Sequence, residues 1–124
     1  MNHPGTTAKA IASLCTQEVG GDAAYINYYN AIMQGSPDSR NVYPVADLPK
    51  LAQSLKLDMT KWQKCFDTSA TQPLFAAQTS EALSFNLGGT PGTLIVNNIT
   101  GKYATIEGAY PYESFTAKID ELSK

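Results

Sequence analysis

The stretch GGTPGTLIVN, residues 88–97, decides how the chain divides. Two glycines and a Thr-Pro pair stand directly ahead of residues 93–96, a β-branched and aliphatic run that reads as a strand. Asn97, Asn98, Thr100 and Gly101 then supply turn residues, and residues 102–107 read as the antiparallel return. Asn98-Ile99-Thr100 matches a glycosylation acceptor, but the hairpin needs turn chemistry at those positions. Pro111 opens a helix carrying Phe115, Ile119 and Leu122.

Everything ahead of Gly88 has helical spacing. Ile11, Leu14 and Cys15 fall at i, i+3, i+4, with Thr7 as N-cap and Gly20 and Gly21 as the stop. Asp22 is expected to cap a second helix to about Gln34, with Tyr25, Ile26, Tyr29, Ile32 and Met33 as its apolar face. Tyr25, Tyr28 and Tyr29 read as a passage from core to surface rather than a binding platform. Residues 35–44 form a loop by composition. Asp47 and Pro49 start a third helix with Leu48, Leu51, Ala52 and Leu55 inward. Asp58 caps a fourth that presents Trp62, Cys65 and Phe66 on one face. Gln72 and Pro73 open a fifth, with Phe75, Ala76, Thr79, Ala82, Leu83 and Leu87 inward and Gly88 as its left-handed end. The expectation is a single α/β domain over residues 1–124: helices in 8–87, then a proline loop, a hairpin and a helix in 88–124.

A chain of 124 residues, 43% hydrophobic, is long enough for one core. Nine basic and eleven acidic residues leave a charge of -2 with no basic cluster, which argues against nucleic acid and anionic membrane partners. No apolar run is long enough to span a bilayer. Two cysteines, Cys15 and Cys65, and one histidine, His3, cannot assemble a Cys/His zinc site, so no metal and no cofactor are expected. His3 beside Pro4 reads as exposed and idle. There is no CxxC, hence no local dithiol redox motif, and no catalytic residue is expected in this chain. Asp47, Asp58, Glu81 and Glu107 show no pairing of the kind general acid and base work requires. A two-stranded ribbon is marginal on its own and offers open edges, so either helices and a partner chain complete the sheet or sequence is missing upstream.

Three stretches together resemble the DsbA-like thioredoxin-fold oxidoreductases. GGTP followed by a strand and an Asn-rich hairpin is similar to that family's cis-proline loop. EGAYPYESFTAKID, residues 107–120, is similar to its closing strand, turn and terminal helix. AIASLCTQ with KWQKCFDTS is similar to a helix-to-helix disulfide of some members. The resemblance covers nearly the whole chain but not the opening strand, the CxxC helix or the strand that follows it, so it implies an incomplete thioredoxin-like fold.

The resemblance implies thiol-disulfide oxidoreduction on extracytoplasmic proteins, with this truncated chain inactive by itself. It implies a cis Thr90-Pro91 bond, whereas X-Pro bonds are ordinarily trans. It also makes Thr90 and Pro91 half of a groove for an extended polypeptide. From the residues alone the loop is equally a rigid connector. For Cys15 and Cys65 a structural disulfide is expected, with buried free thiols or a redox switch as alternatives; a disulfide points to an oxidising compartment. The partners implied are an extended polypeptide substrate or a missing N-terminal segment. The rival reading is a non-catalytic binding module, or a homodimer through the sheet edge.

Overall fold

The computed structural model describes residues 5–35 and 42–124. His3, with most of the loop expected over residues 35–44, lies outside the described residues. The chain is mixed α/β and mostly helical. Its elements run α1 (Thr6–Gln34), a 3-10 turn (Val45–Asp47), α2 (Leu48–Ser54), α3 (Met59–Asp67), α4 (Gln72–Ser84), β1 (Gly92–Val96), β2 (Tyr103–Glu107) and α5 (Tyr112–Leu122). They form two compact units, Asn2–Ala76 and Ala77–Lys124, with the division falling inside α4.

In the first unit, α1 is two helical runs joined across a break at Gly21, whose φ of 76° and ψ of -174° are not helical. The first helical run thus stops at the paired glycines, as expected, and a second continues beyond them. Gly21 accepts this conformation because no Cβ opposes it, and Gly20 is needed for room. A Cβ on Gly20 would stand 2.5 Å from Leu57 Cδ2 and 2.6 Å from Ala24 Cβ. Neither expected cap closes a helix here. Gly5, left-handed at φ 78°, occupies the N-cap position and α1 starts at Thr6, not after Thr7. Asp22 Oδ1 accepts the Gln17 side-chain amide at 2.9 Å across the break.

The buried face beyond the break also differs from expectation. Tyr28 is fully buried, while Ile26, Tyr29 and Met33 are exposed and only Ile32 of the expected set packs against the core. Apolar side chains occur nearly all round this run, so periodicity does not select a face. Contact with α2 does, because the Tyr28 hydroxyl donates to the Leu48 carbonyl at 2.9 Å. Tyr25 and Tyr29 stack on each other with ring centroids 6.2 Å apart.

Helices α2 and α3 match their expected faces. Leu48 and Ala52 are fully buried, with Leu51 and Leu55 packed against them. Asp47 makes no capping bond; its carboxylate pairs with Lys50 at 3.1 Å. Asp58 does cap α3, its Oδ1 accepting from the Thr60 and Lys61 amides at 3.1 Å each. Trp62 and Cys65 then face α1 and complete a core with Ile11, Ala12, Cys15 and Tyr28.

Burial controls the Tyr28 proton. Desolvation, with Tyr43 nearby, raises its hydroxyl well above the ordinary value of 10.0. The native state therefore keeps a proton that the unfolded chain loses. Stability from this group is complete below about pH 10 and declines as pH rises further. Urea titrations between pH 9 and 11 should show a decline of up to about 1.4 kcal/mol per pH unit from this proton. Tyr28→Phe should be less stable at neutral pH yet flatter in this range. An equal alkaline slope in the variant would remove Tyr28 as its source.

Helix α4 runs as expected but contains no buried residue; Leu74 and Leu83 are exposed, and Phe75 and Ala82 are half-buried. The expected inward face is thus not a core face. The helix closes with Asn86, not Gly88, in the left-handed position at φ 61°. The Leu87 amide bonds the Ala82 carbonyl at 3.0 Å and the Asn86 amide bonds the Leu83 carbonyl at 2.9 Å, the paired bonds of a Schellman end.

In the second unit, β1 and β2 pair antiparallel from Gly92 opposite Glu107 to Val96 opposite Tyr103. The turn closes on Asn97, whose Oδ1 accepts from the Ile99 and Thr100 amides at 2.9 and 3.1 Å. Gly101 takes the left-handed position at φ 72°. Ile99 of the glycosylation-like triplet stands at the exposed tip. Asn97 Nδ2 reaches back to the Leu122 carbonyl at 2.8 Å, tying the hairpin to α5. Ile106 and Leu122 are buried.

Candidate functional site

Two sets of residues were singled out by sequence, and each lies within one unit. In the first, Cys15 of α1 and Cys65 of α3 are joined as a disulfide with Cα atoms 5.8 Å apart. Both residues are buried. The Thr71 hydroxyl lies 3.8 Å from Cys15 Sγ, and it is also within 3.3 Å of the Ile11 carbonyl, to which it donates. Glu18 Oε2 lies 3.7 Å from Cys65 Sγ. In the bonded state neither sulfur carries a proton, so these are contacts, not donated bonds.

The surroundings bear on thiol chemistry. A nucleophilic cysteine needs its thiolate stabilised, by a cation or a helix N-terminus. Were the bridge opened, Cys65 would ionise beside a carboxylate and Cys15 inside an apolar core, and both effects disfavour the thiolate. Glu18 was not singled out from sequence. It lies three positions after Cys15, on the same face of α1, and that spacing was the available signal.

In the second unit, Gly88, Gly89, Thr90 and Pro91 are all exposed. The Thr90-Pro91 peptide is cis. The loop is fixed at its far end, where the Pro91 carbonyl accepts from the Gly108 amide at 2.7 Å. Gly92 keeps the loop close to the strand, since a Cβ there would meet the Gly89 carbonyl oxygen at 3.1 Å. No charged residue occurs between Glu81 and Lys102, so loop and β1 present an uncharged surface.

Between β2 and α5 an open cleft of about 280 Å³ is lined by Thr105, Ile106, Glu107, Tyr110, Ser114 and Lys118. Lys118 donates to Glu121 Oε2 at 2.9 Å. That hydrogen bond and the ammonium charge hold Glu121 below the usual carboxylate range. Among the described residues, no three His, Cys, Asp or Glu side chains gather as a metal site. No described helix is long and apolar enough to cross a membrane.

The chain matches no protein-family model, and no curated protein or solved structure is detectably similar to it. What bears on its chemistry is its own geometry. That geometry holds a buried disulfide in one unit and an exposed, uncharged loop and strand in the other.

Proposed function

We propose that the chain is a DsbA-like thioredoxin-fold component that binds extended polypeptides through Thr90 and Pro91 and does not itself exchange disulfides. The observation that carries the reading is the exposed loop of residues 88–91 leading into an uncharged strand that has one neighbour among the described residues, so that part of its backbone lies outside the ladder. Backbone groups of this kind suit a partner that adds alongside by main-chain hydrogen bonds, with little demand on its side chains. The thiol chemistry would come from elsewhere. Cys15 and Cys65 are buried and bonded, and Glu18 beside Cys65 opposes the thiolate. A bridge of this kind persists in oxidising surroundings, so we assign the chain to an extracytoplasmic compartment.

Purified protein is expected to give no turnover of a dithiol peptide above the uncatalysed rate. A reduced, carboxymethylated polypeptide should shift the amide resonances of Gly89, Thr90 and Gly92 first. Turnover that is lost in Cys15→Ala would overturn the assignment of the bridge, and shifts confined to residues outside 88–96 would overturn the assignment of the loop.

A further inference from the structure

The pattern of the hairpin's hydrogen bonds identifies which backbone groups remain outward. At one end the Asn97 amide bonds the Lys102 carbonyl at 2.9 Å; at the other the Gly108 amide bonds the Pro91 carbonyl at 2.7 Å. Hydrogen-bonded pairs alternate along an antiparallel ladder. With the observed register, Thr93 and Ile95 therefore bond inward to Ile106 and Ala104. Gly92, Leu94 and Val96 direct their amides and carbonyls away from β2. Tyr103, Thr105 and Glu107 do the same on the opposite edge. Among the described residues the sheet has no third strand.

The two edges differ in how they are guarded. Natural edge strands are commonly blunted by charge or proline at outward positions. On β2, Glu107 is outward; Lys102 and Pro91, which immediately precede the two strands, both belong to inward-bonded pairs. On β1, the outward residues are glycine, leucine and valine, inside the uncharged stretch between Glu81 and Lys102. Val96 is 45% exposed. An uncharged edge of a two-strand ribbon, too small to be stable independently, is suited to gain a strand.

We propose that β1 pairs with β1 of a second copy of this chain, antiparallel about a twofold axis at Leu94. The register is self-complementary. Leu94 faces Leu94 of the second copy, Gly92 faces its Val96, and every outward amide and carbonyl of the three residues finds a partner. No charge opposes a like charge, and the product is a continuous four-stranded sheet in the order β2, β1, β1, β2. In this register Thr90 and Pro91 come level with Asn98 and Asn97 of the second copy. Self-pairing and polypeptide binding along β1 therefore exclude one another. The pairing itself does not depend on the polypeptide-binding proposal.

Sedimentation equilibrium of the full chain at concentrations up to about 1 mM should show a reversible monomer–dimer equilibrium, since an edge of this length gives a transient contact rather than an obligate one. Val96→Pro removes an outward amide without touching the β1–β2 ladder, and should weaken the dimer at least about tenfold. Tyr103→Pro makes the matching change on the β2 edge and should leave the dimer intact. Amide resonances of the hairpin in each variant report that the ribbon itself is preserved. A monomer throughout the concentration range overturns the proposal, as does a dimer broken by Tyr103→Pro and not by Val96→Pro. If Val96→Pro disturbs the ribbon, hydrogen exchange of the native protein decides. Slowing of the Leu94 and Val96 amides with concentration supports the pairing, and exchange independent of concentration overturns it.

Discussion

Replacing both bridged cysteines, Cys15→Ala with Cys65→Ala, is expected to lower the stability of the first unit by about 2–5 kcal/mol. The bridge spans a sequence separation of 50. In the chain-entropy account, closing a loop of that length removes on the order of 4 kcal/mol of freedom from the unfolded chain. Two alanines leave apolar side chains in an apolar core, so no buried polar group is added and the loss is chiefly that of the crosslink, with a small cavity. For a unit of this size the melting temperature should fall by more than about 10 °C. Adding a reductant to the native protein should reach a similar end point, but slowly, because both sulfurs are buried. A melt that moves by less than about 1 kcal/mol would show that the helices are secured without the bridge. It would also leave the proposed oxidising compartment without a stability argument.

The legible parts of this fold are those where local chemistry and tertiary contact favour one arrangement. Asp58 sits just before a run with Trp62 and Cys65 on one face, and its carboxylate caps α3 as the spacing requires. The β-branched run after Pro91 and the turn residues between Asn97 and Gly101 place the hairpin to within one residue at each strand. Where apolar residues surround a helix, no such agreement exists. Between Ala23 and Gln34 there is no charge to mark a solvent face. The carbonyl of Leu48, about twenty positions away, selects Tyr28. In α4 the only charged residue is Glu81, and its apolar spacing signals a buried face that does not form. At its end both Asn86 and Gly88 suit a left-handed residue, and hydrogen bonding to Ala82 and Leu83 favours the earlier one. For the candidate site, the residues themselves give a connector at Thr90 and Pro91, and its place in a groove comes only from the family resemblance. The disulfide expected between Cys15 and Cys65 is formed, whereas the Glu18 carboxylate beside Cys65 is not marked by any motif, because only the packing of α1 on α3 brings the two together.

Trp62→Ala is expected to destabilise the same unit by about 3–5 kcal/mol, the range for emptying a buried large aromatic site. Trp62 is fully buried. Its ring lies 5.1 Å from that of Phe66 and 6.3 Å from that of Tyr28. Its indole Nε1 donates to Thr16 Oγ1 at 2.9 Å, and the Thr16 hydroxyl donates in turn to the Ala12 carbonyl at 2.9 Å. The seam between α1 and α3 is therefore two adjacent links, Cys15 to Cys65 and Thr16 to Trp62, one covalent and one polar. Trp62→Phe separates the contributions, because it keeps much of the aromatic volume but leaves Thr16 Oγ1 without its indole donor. It should cost about 1–3 kcal/mol. Thr16→Val strands the indole N–H instead and should cost a similar amount. The pair Trp62→Phe with Thr16→Val removes both partners and should recover part of the loss, because neither polar group is then left buried alone. Urea melts of the two single variants and the double measure that coupling. Strict additivity would mean that the seam is held by packing and the bridge, with the indole bond contributing nothing specific.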